Sequence, residues 1–119
     1  MTKIQNSKPY DLEERTYEFA KKVRDYVKKL PGTISNIEYS KQLVRSSGSQ
    51  AANYIEANES LGKKDFLMRI RICRKEAKES RLWLRLSEPK NEDLQEKDEL
   101  LSEVIELTKI FGSILEKSK

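Results

Sequence analysis

One segment of the chain carries a row of cationic side chains whose spacing could bind phosphate. Residues 63–87 hold nine Lys or Arg against three Asp or Glu, a local charge of +6. Five of these cations recur at steps of three and four, and we call them the basic stripe: Arg71, Arg74, Lys78, Arg81 and Arg85. This spacing places them on one side of a helix. Such a stripe can follow a phosphate backbone and release counterions without reading base sequence.

A second interpretation pairs the basic stripe with acidic side chains. Residues 91–117 hold three Lys or Arg against eight Asp or Glu, a local charge of −5. The stripe could form ion pairs with this segment, within one chain or across a subunit contact, and surface pairs of this kind contribute about 0–1 kcal/mol each. Trp83 lies off the stripe and no aromatic residue is interleaved with it. Stacking on single-stranded bases therefore has little support.

Polar side chains three residues apart occur twice and could contribute to a metal site. Asn53 and Glu56 form one set, and Glu76 and Glu79 form the other. The di-metal motif of helical bundles is Glu-x-x-His, and the chain has no His. We therefore expect no metal and no cofactor. Asn53 or Glu56 is instead predicted to satisfy buried polar groups, with Arg45 or an arginine of residues 63–87 as partner for a buried carboxylate.

The lone cysteine offers little for catalysis. Cys73 falls on the same helical side as the apolar Ala77, where a thiol normally behaves as a small hydrophobic group. A nucleophilic cysteine needs a base or an accessible electropositive site, and the chain lacks the commonest base, His. No acid–base pair or phosphate-binding loop is recognisable. The sequence therefore predicts a protein without enzymatic activity.

Four amphipathic helices must position these side chains. Apolar residues at steps of three and four predict helices over 11–30, about 35–60, 63–87 and from 91 onward. Capping residues are predicted at the helix starts Asp11, Ser35 and Asn91, and the chain breaks at Pro31-Gly32, Gly62 and Glu88-Pro89. No period-two alternation predicts a strand. Short connections between long helices predict an all-α, antiparallel up-down four-helix bundle over 11–119, after a flexible N-terminus at 1–10.

The second helix contains an unusual run of small residues, SSGSQAANYIEA at 46–57. A phosphate-binding loop would need more glycine than Gly48 alone. Leu43, Ser47, Ala51 and Ile55 are each four residues apart, with Ala52 beside them. The spacing predicts a helix face that packs closely against a neighbouring helix.

Apolar side chains exceed what one core stripe per helix requires. The additional set comprises Tyr10, Tyr17, Leu82, Trp83, Leu86, Leu100 and Leu107. A second buried surface of this kind is the expected signature of an oligomer. We therefore expect the chain to assemble with copies of itself.

The central region also resembles a known bacterial family. The runs QLVRSSGSQAANYIEANESLGKKDF and KEAKESRLWLRL are similar to the four helix bundle proteins, also called the S23 or 23S rRNA intervening-sequence protein family. The motif positions that we expect to have structural roles are Arg45, Ser49, Ala52, Asn53, Glu56, Asp65, Phe66, Glu76 and Glu79. Tyr54 departs from the family, which usually has an aliphatic residue after the Asn.

The resemblance implies a four-helix bundle that often forms a ring-shaped homopentamer and has no enzymatic activity. A relative, the accessory variability determinant of retroelements, is implied to bind nucleic acid and a reverse transcriptase. We therefore expect a scaffold or adaptor that assembles with itself and with a protein partner such as a reverse transcriptase. The alternative is an accessory protein that binds RNA or DNA, such as rRNA or retroelement RNA, through the basic stripe.

The remaining expectations concern the compartment. No apolar run approaches the length of a membrane span, and the N-terminus shows no secretory signal. A single cysteine is natural in a reducing environment. We therefore expect a cytoplasmic protein without a membrane partner.

Overall fold

The structure, a computed structural model, describes residues 11–119, and within this range it consists of helices without strands. The four long helices are α1 (Leu12–Lys28), α2 (Ile34–Asn58), α3 (Lys63–Leu86) and α4 (Leu94–Lys117). Each packs against its neighbours in the chain, and α4 closes the bundle against α1. The bundle measures 44 × 32 × 20 Å. The predicted all-α four-helix bundle is confirmed, whereas the predicted flexible N-terminus at 1–10, with Tyr10, lies outside the described residues.

Two of the three predicted helix starts were wrong by a few residues. Asp11 caps α1 as predicted, because its Oδ1 accepts a hydrogen bond from the Glu14 amide at 3.2 Å. The cap of α2 is Thr33 rather than Ser35: the Thr33 hydroxyl accepts from the Asn36 amide at 3.1 Å, and residue 35 already lies inside the helix. At Asn91 the chain forms a short 3-10 helix, and α4 begins only at Leu94.

The steps of three and four that predicted a helix over 63–87 correspond to the buried side of α3. Its buried residues include Ile70, Cys73, Ala77, Ser80 and Leu84, while Phe66 is partly buried against them. The other helices contribute Leu12, Phe19, Val23, Tyr26, Leu43, Ala57, Leu100, Val104, Leu107 and Phe111. Leu100 and Leu107 thus belong to the main core. Of the expected second surface, Tyr17, Leu82 and Leu86 are exposed in the single chain.

The predicted buried face of α2 is only half right. Leu43 and Ser47 are buried, but Ala51 is half-buried and Ile55 is 47% exposed. Residues four apart advance by about 40° around a helix of 3.6 residues per turn, so three such steps rotate a side chain out of the core. The buried face instead continues through Gln50 and Ala57.

A polar clip ties together two loops at one end of the bundle. The Asn36 amide donates to the carbonyls of Pro31 and Glu88, both at 3.0 Å, and its Oδ1 accepts from the Glu88 amide at 3.0 Å. Beside it, the Tyr26 hydroxyl lies 2.7 Å from Ser87 Oγ. Burial raises the pKa of Tyr26. The clip fixes the α1–α2 loop against the end of α3 and so sets how these helices are positioned.

Candidate nucleic-acid interface

The basic stripe lies on the solvent-facing side of α3, next to α4. All five of its side chains are exposed. Three of them line a groove of about 500 Å³ whose full lining is Arg71, Arg74, Lys75, Lys78, Glu79, Leu82 and Leu115. Arg74 reaches over α4: a Cβ added at Gly112 would stand 3.7 Å from its Nε. The predicted stripe did not include Lys75, which follows Arg74 in the sequence and lines the same groove.

None of the five stripe residues makes an ion pair with any residue in 11–119. Three acidic residues of α4 instead contact cations of α1 and of the residue that follows it. Arg15 of α1 contacts Glu103 Oε1 at 2.8 Å and Glu106 Oε1 at 2.6 Å, and Lys29 pairs with Glu96. The interpretation that the stripe pairs with α4 inside one chain was therefore wrong. Net charge could not show this, because it does not specify the side of a helix.

Arg15 in α1 and Lys29, which directly follows α1, both have a raised pKa. The hydrogen bond that Arg15 donates to Glu103 raises the pKa of Arg15 against the effect of its partial burial. The hydrogen bond that Lys29 donates to Glu96 likewise raises the pKa of Lys29. These ion pairs lie along one side of the α1–α4 contact. They involve three acidic residues of α4, namely Glu96, Glu103 and Glu106.

A second groove, which we call the acidic groove, opens between α1 and α4 and has a volume of about 880 Å³. Its lining consists of Glu14, Arg15, Glu18, Phe19, Lys22, Asp25, Glu96, Glu99, Leu100, Ser102, Glu103 and Glu106. Seven of these twelve residues carry carboxylates and two carry cations. Glu14 and Glu18 make no ion pair with residues 11–119. The molecule therefore presents opposite charges on the two sides of α4.

Several motif residues join α2 to α3. Arg45 Nη2 lies 3.2 Å from Glu76 Oε1 and 3.1 Å from Glu79 Oε1. The side chain of Glu76 is only 8% exposed, so its charge needs a nearby cation. The predicted Arg45–carboxylate partnership therefore exists, but the carboxylates are those of α3. Both of these carboxylates are therefore occupied by one guanidinium.

The Asn53 motif residue forms a neighbouring contact. Its amide donates to the Ser49 carbonyl at 2.9 Å and to Ser49 Oγ at 3.2 Å. Its Oδ1 accepts from Arg69 Nη1 at 3.0 Å. Asn53 thus orients an arginine that the sequence interpretation had passed over, although Arg69 follows the motif residue Phe66 by one turn.

Other motif residues do not join this network. Ala52, Glu56 and Asp65 are exposed, and the Glu56 side chain makes no hydrogen bond or ion pair with residues 11–119. Of the two residues predicted as alternatives to satisfy polar groups, Asn53 makes such hydrogen bonds and Glu56 does not. Asp65 lies in the first turn of α3, where its negative charge complements the helix dipole.

The cysteine lies on the buried side of α3. Burial raises the pKa of Cys73 to about 12, so its thiol is protonated at neutral pH and cannot act as a nucleophile. Its Sγ instead lies 3.5 Å from the Gln50 carbonyl. Within residues 11–119, no group of three or more His, Cys, Asp or Glu side chains could hold a metal ion.

The chain that forms this bundle matches a known protein family. A family model described as 23S rRNA-intervening sequence protein matches residues 9–113. The chain belongs to this family. The match spans all of α1, α2 and α3 and nearly all of α4. The family resemblance predicted from the α2 and α3 motifs is confirmed.

A solved member of the family has a similar bundle. It is a protein of unknown function from the S23 ribosomal protein family of Bacteroides thetaiotaomicron VPI-5482, determined at 1.70 Å resolution. The two chains share 28% sequence identity with a TM-score of 0.75, over 87% of this chain and 97% of the other. No curated protein matches the chain. Among residues 11–119, none of the helices has the length and apolar character needed to cross a bilayer.

Proposed function

We propose that this family member is a non-enzymatic accessory protein that binds the phosphate backbone of RNA through the basic stripe. The observation that carries the proposal is that all five stripe residues are exposed and make no ion pair within 11–119. Unpaired cations can neutralise phosphates and release counterions, whereas cations already paired with carboxylates cannot do so as effectively.

The dimensions of the stripe support this proposal. Arg71 and Arg85 are 14 residues apart on one helix, which corresponds to about 21 Å at 1.5 Å per residue. The groove beside the stripe adds Lys75 and the apolar side chains of Leu82 and Leu115. Because no aromatic residue lines it, we expect backbone contact with a duplex rather than stacking on bases.

A triple substitution tests the proposal. Removal of Arg74, Lys78 and Arg81 to Ala should lower the slope of log K against log salt by roughly 0.7–0.9 for each lost phosphate contact. Affinity should fall by similar factors for duplex RNAs of unrelated sequence, since phosphate contacts do not specify bases. The measurement is fluorescence anisotropy at several salt concentrations.

The matched control removes three cations from the other side of the molecule. Lys21, Lys22 and Lys28 are all exposed residues of α1 and make no ion pair with residues 11–119. Their replacement by Ala changes net charge by the same amount. The control should retain most of the affinity. Absence of wild-type binding at about 50 mM salt, or equal losses in both variants, would remove the proposal.

A scaffold role is a second proposal, favoured by an apolar face on the outside of α2. Ile37, Val44 and Ile55 are 46%, 47% and 47% exposed, and their spacings of 7 and 11 residues place them in one row.

We infer from the resemblance a homopentamer, a protein partner such as a reverse transcriptase, and a cytoplasmic location. Light scattering should give an oligomer, and Val44→Glu should reduce its mass or its binding of the partner. A monomer at micromolar concentration would contradict the self-assembly.

A further inference from the structure

The two grooves beside α4 have complementary charge, and neither is neutralised by the other within the chain. Of the seven carboxylates that line the acidic groove, four already pair with cations of the same chain, namely Glu96, Glu103, Glu106 and Asp25. Glu14, Glu18 and Glu99 make no ion pair with residues 11–119. The groove beside the basic stripe has four cations against one carboxylate, and Arg81 and Arg85 extend it along α3. Because the grooves lie on different sides of α4, they can meet only when two molecules come together.

Their lengths also correspond. On α1, the acidic lining extends from Glu14 to Asp25, and on α4 from Glu96 to Glu106. These spans of 11 and 10 residues correspond to about 15–17 Å, against about 21 Å for the basic stripe. One helix edge bearing the stripe would therefore find the unpaired Glu14 and Glu18 on the α1 wall and the unpaired Glu99 on the α4 wall.

We propose that the basic stripe of one copy docks in the acidic groove of a second copy, so that self-assembly and RNA binding compete for the same cations. The docking stands on charge and geometry alone, whereas the competition rests on the proposed RNA binding. The contact is heterologous, since the two faces differ. After one contact, one molecule still has a free acidic groove and the other still has a free basic stripe. Such contacts close into rings or continue as filaments.

Charge distribution makes the assembly dependent on salt. Exposed ion pairs are individually weak, so the docking relies on many pairs acting together. Glu18 and Glu99 lie on the two opposite walls of the acidic groove. Neither makes an ion pair with residues 11–119, although Glu99 accepts a hydrogen bond from Gln95. They are therefore suitable positions at which to reverse the charge of the groove without removing the Arg15 and Lys29 pairs.

A charge-swap experiment tests the docking. One full-length variant carries Arg74→Glu and Lys78→Glu, which reverse the stripe, and the other carries Glu18→Lys and Glu99→Lys, which reverse the groove. Each variant alone places like charges opposite each other, and its self-association should weaken at least tenfold in sedimentation velocity. An equimolar mixture restores opposite charges at both kinds of contact and should associate again.

Circular dichroism of each variant provides the folding control. Folded variants that both assemble like the wild type would overturn the docking, and so would a folded mixture that fails to associate. A wild type that is monomeric at about 50 mM salt, or whose assembly is unchanged at about 500 mM salt, would also overturn it.

The competition has a separate measurement. Duplex RNA added to the wild-type assembly should reduce the protein–protein contacts seen by energy transfer between labelled copies. If RNA binds and the transfer is unchanged, the competition is wrong and the docking remains. If RNA does not bind at all, the proposed RNA function fails, while the charge-swap result continues to decide the docking.

Discussion

Arg45 on α2 and Glu76 on α3 form an ion pair across the helix interface, with Arg45 Nη2 3.2 Å from Glu76 Oε1. The pair is asymmetric, because the Glu76 side chain is 8% exposed and that of Arg45 is 51% exposed. The same guanidinium contacts Glu79 at 3.1 Å. A single cation at the rim thus compensates a carboxylate that is largely removed from water.

Replacement of Arg45 by Met should destabilise the bundle. The substitution keeps the length of the aliphatic side chain and leaves Glu76 without its cation. A buried polar group that loses its partner costs about 1–3 kcal/mol, and a charged group costs more, so we expect a loss of at least about 1–3 kcal/mol in the free energy of unfolding. The control is Lys41→Met, which removes an exposed pair with Glu38 and should change stability by less than about 1 kcal/mol. Urea unfolding measures both. Equal effects of the two substitutions would contradict the asymmetry.

Replacement of Gln50 by Met should stabilise the protein. Gln50 is 0% exposed, and neither its Nε2 nor its Oε1 has a hydrogen-bond partner among residues 11–119. Met has a similar shape and removes two buried polar atoms, so we expect a gain of about 1–3 kcal/mol in the free energy of unfolding. Gln42→Met, at an exposed position of the same helix, should have little effect. A loss of stability at Gln50 would indicate that its amide is hydrogen-bonded to a bound group.

The buried thiol predicts a specific pH dependence. Burial raises the pKa of Cys73 from its ordinary value of 9.0 to about 12. The folded state therefore holds the proton more tightly than the unfolded state, so stability is fully present below pH 9.0 and is lost as pH rises toward about 12. Burial also raises the pKa values of Tyr26 and Tyr54. Both tyrosines are present in the wild type and in Cys73→Ala, so a comparison of these two proteins isolates the effect of the thiol.

Two measurements check this prediction. Between pH 9.0 and about 12, the stability of the wild type should fall more steeply than that of Cys73→Ala. At about pH 8, a thiol reagent should label Cys73 only as fast as the protein opens. Rapid and complete labelling of the folded protein would show that the thiol is accessible.

Substitutions at two adjacent positions in the small-residue run of α2 should change stability in opposite directions. Gly48 is exposed, and a Cβ added there has no atom within 4 Å. Gly48→Ala should therefore stabilise the helix by about 0.5–1 kcal/mol. Ser47 is 1% exposed, and Ser47→Leu should cost about 1–3 kcal/mol through overpacking. Thermal unfolding distinguishes the two, and destabilisation by Gly48→Ala would indicate that this face is covered in the assembled protein.

The apolar periodicity and the chain breaks determined much of the fold. Ile70, Cys73, Ala77 and Leu84 have 0% exposure, as the steps of three and four predicted, because a helix places such residues on one side regardless of its neighbours. The α2 and α3 motifs likewise identified the family. Both signals are local, so the amino-acid sequence alone was sufficient to predict them.

The charge pairing was decided by the tertiary structure. The sequence showed a basic α3 and an acidic α4, but the orientation of α4 directs Glu103 toward Arg15 and leaves Arg74 beside Gly112. Likewise, Asn36 was not predicted to join the Pro31 and Glu88 loops, since residues 31 and 88 are brought together only by folding. About 3.6 side chains project from each turn of a helix, and the packing of the helix determines which of them face a partner. Composition along the chain therefore predicts the existence of charged faces, whereas their partners depend on the rotation of each helix in the bundle.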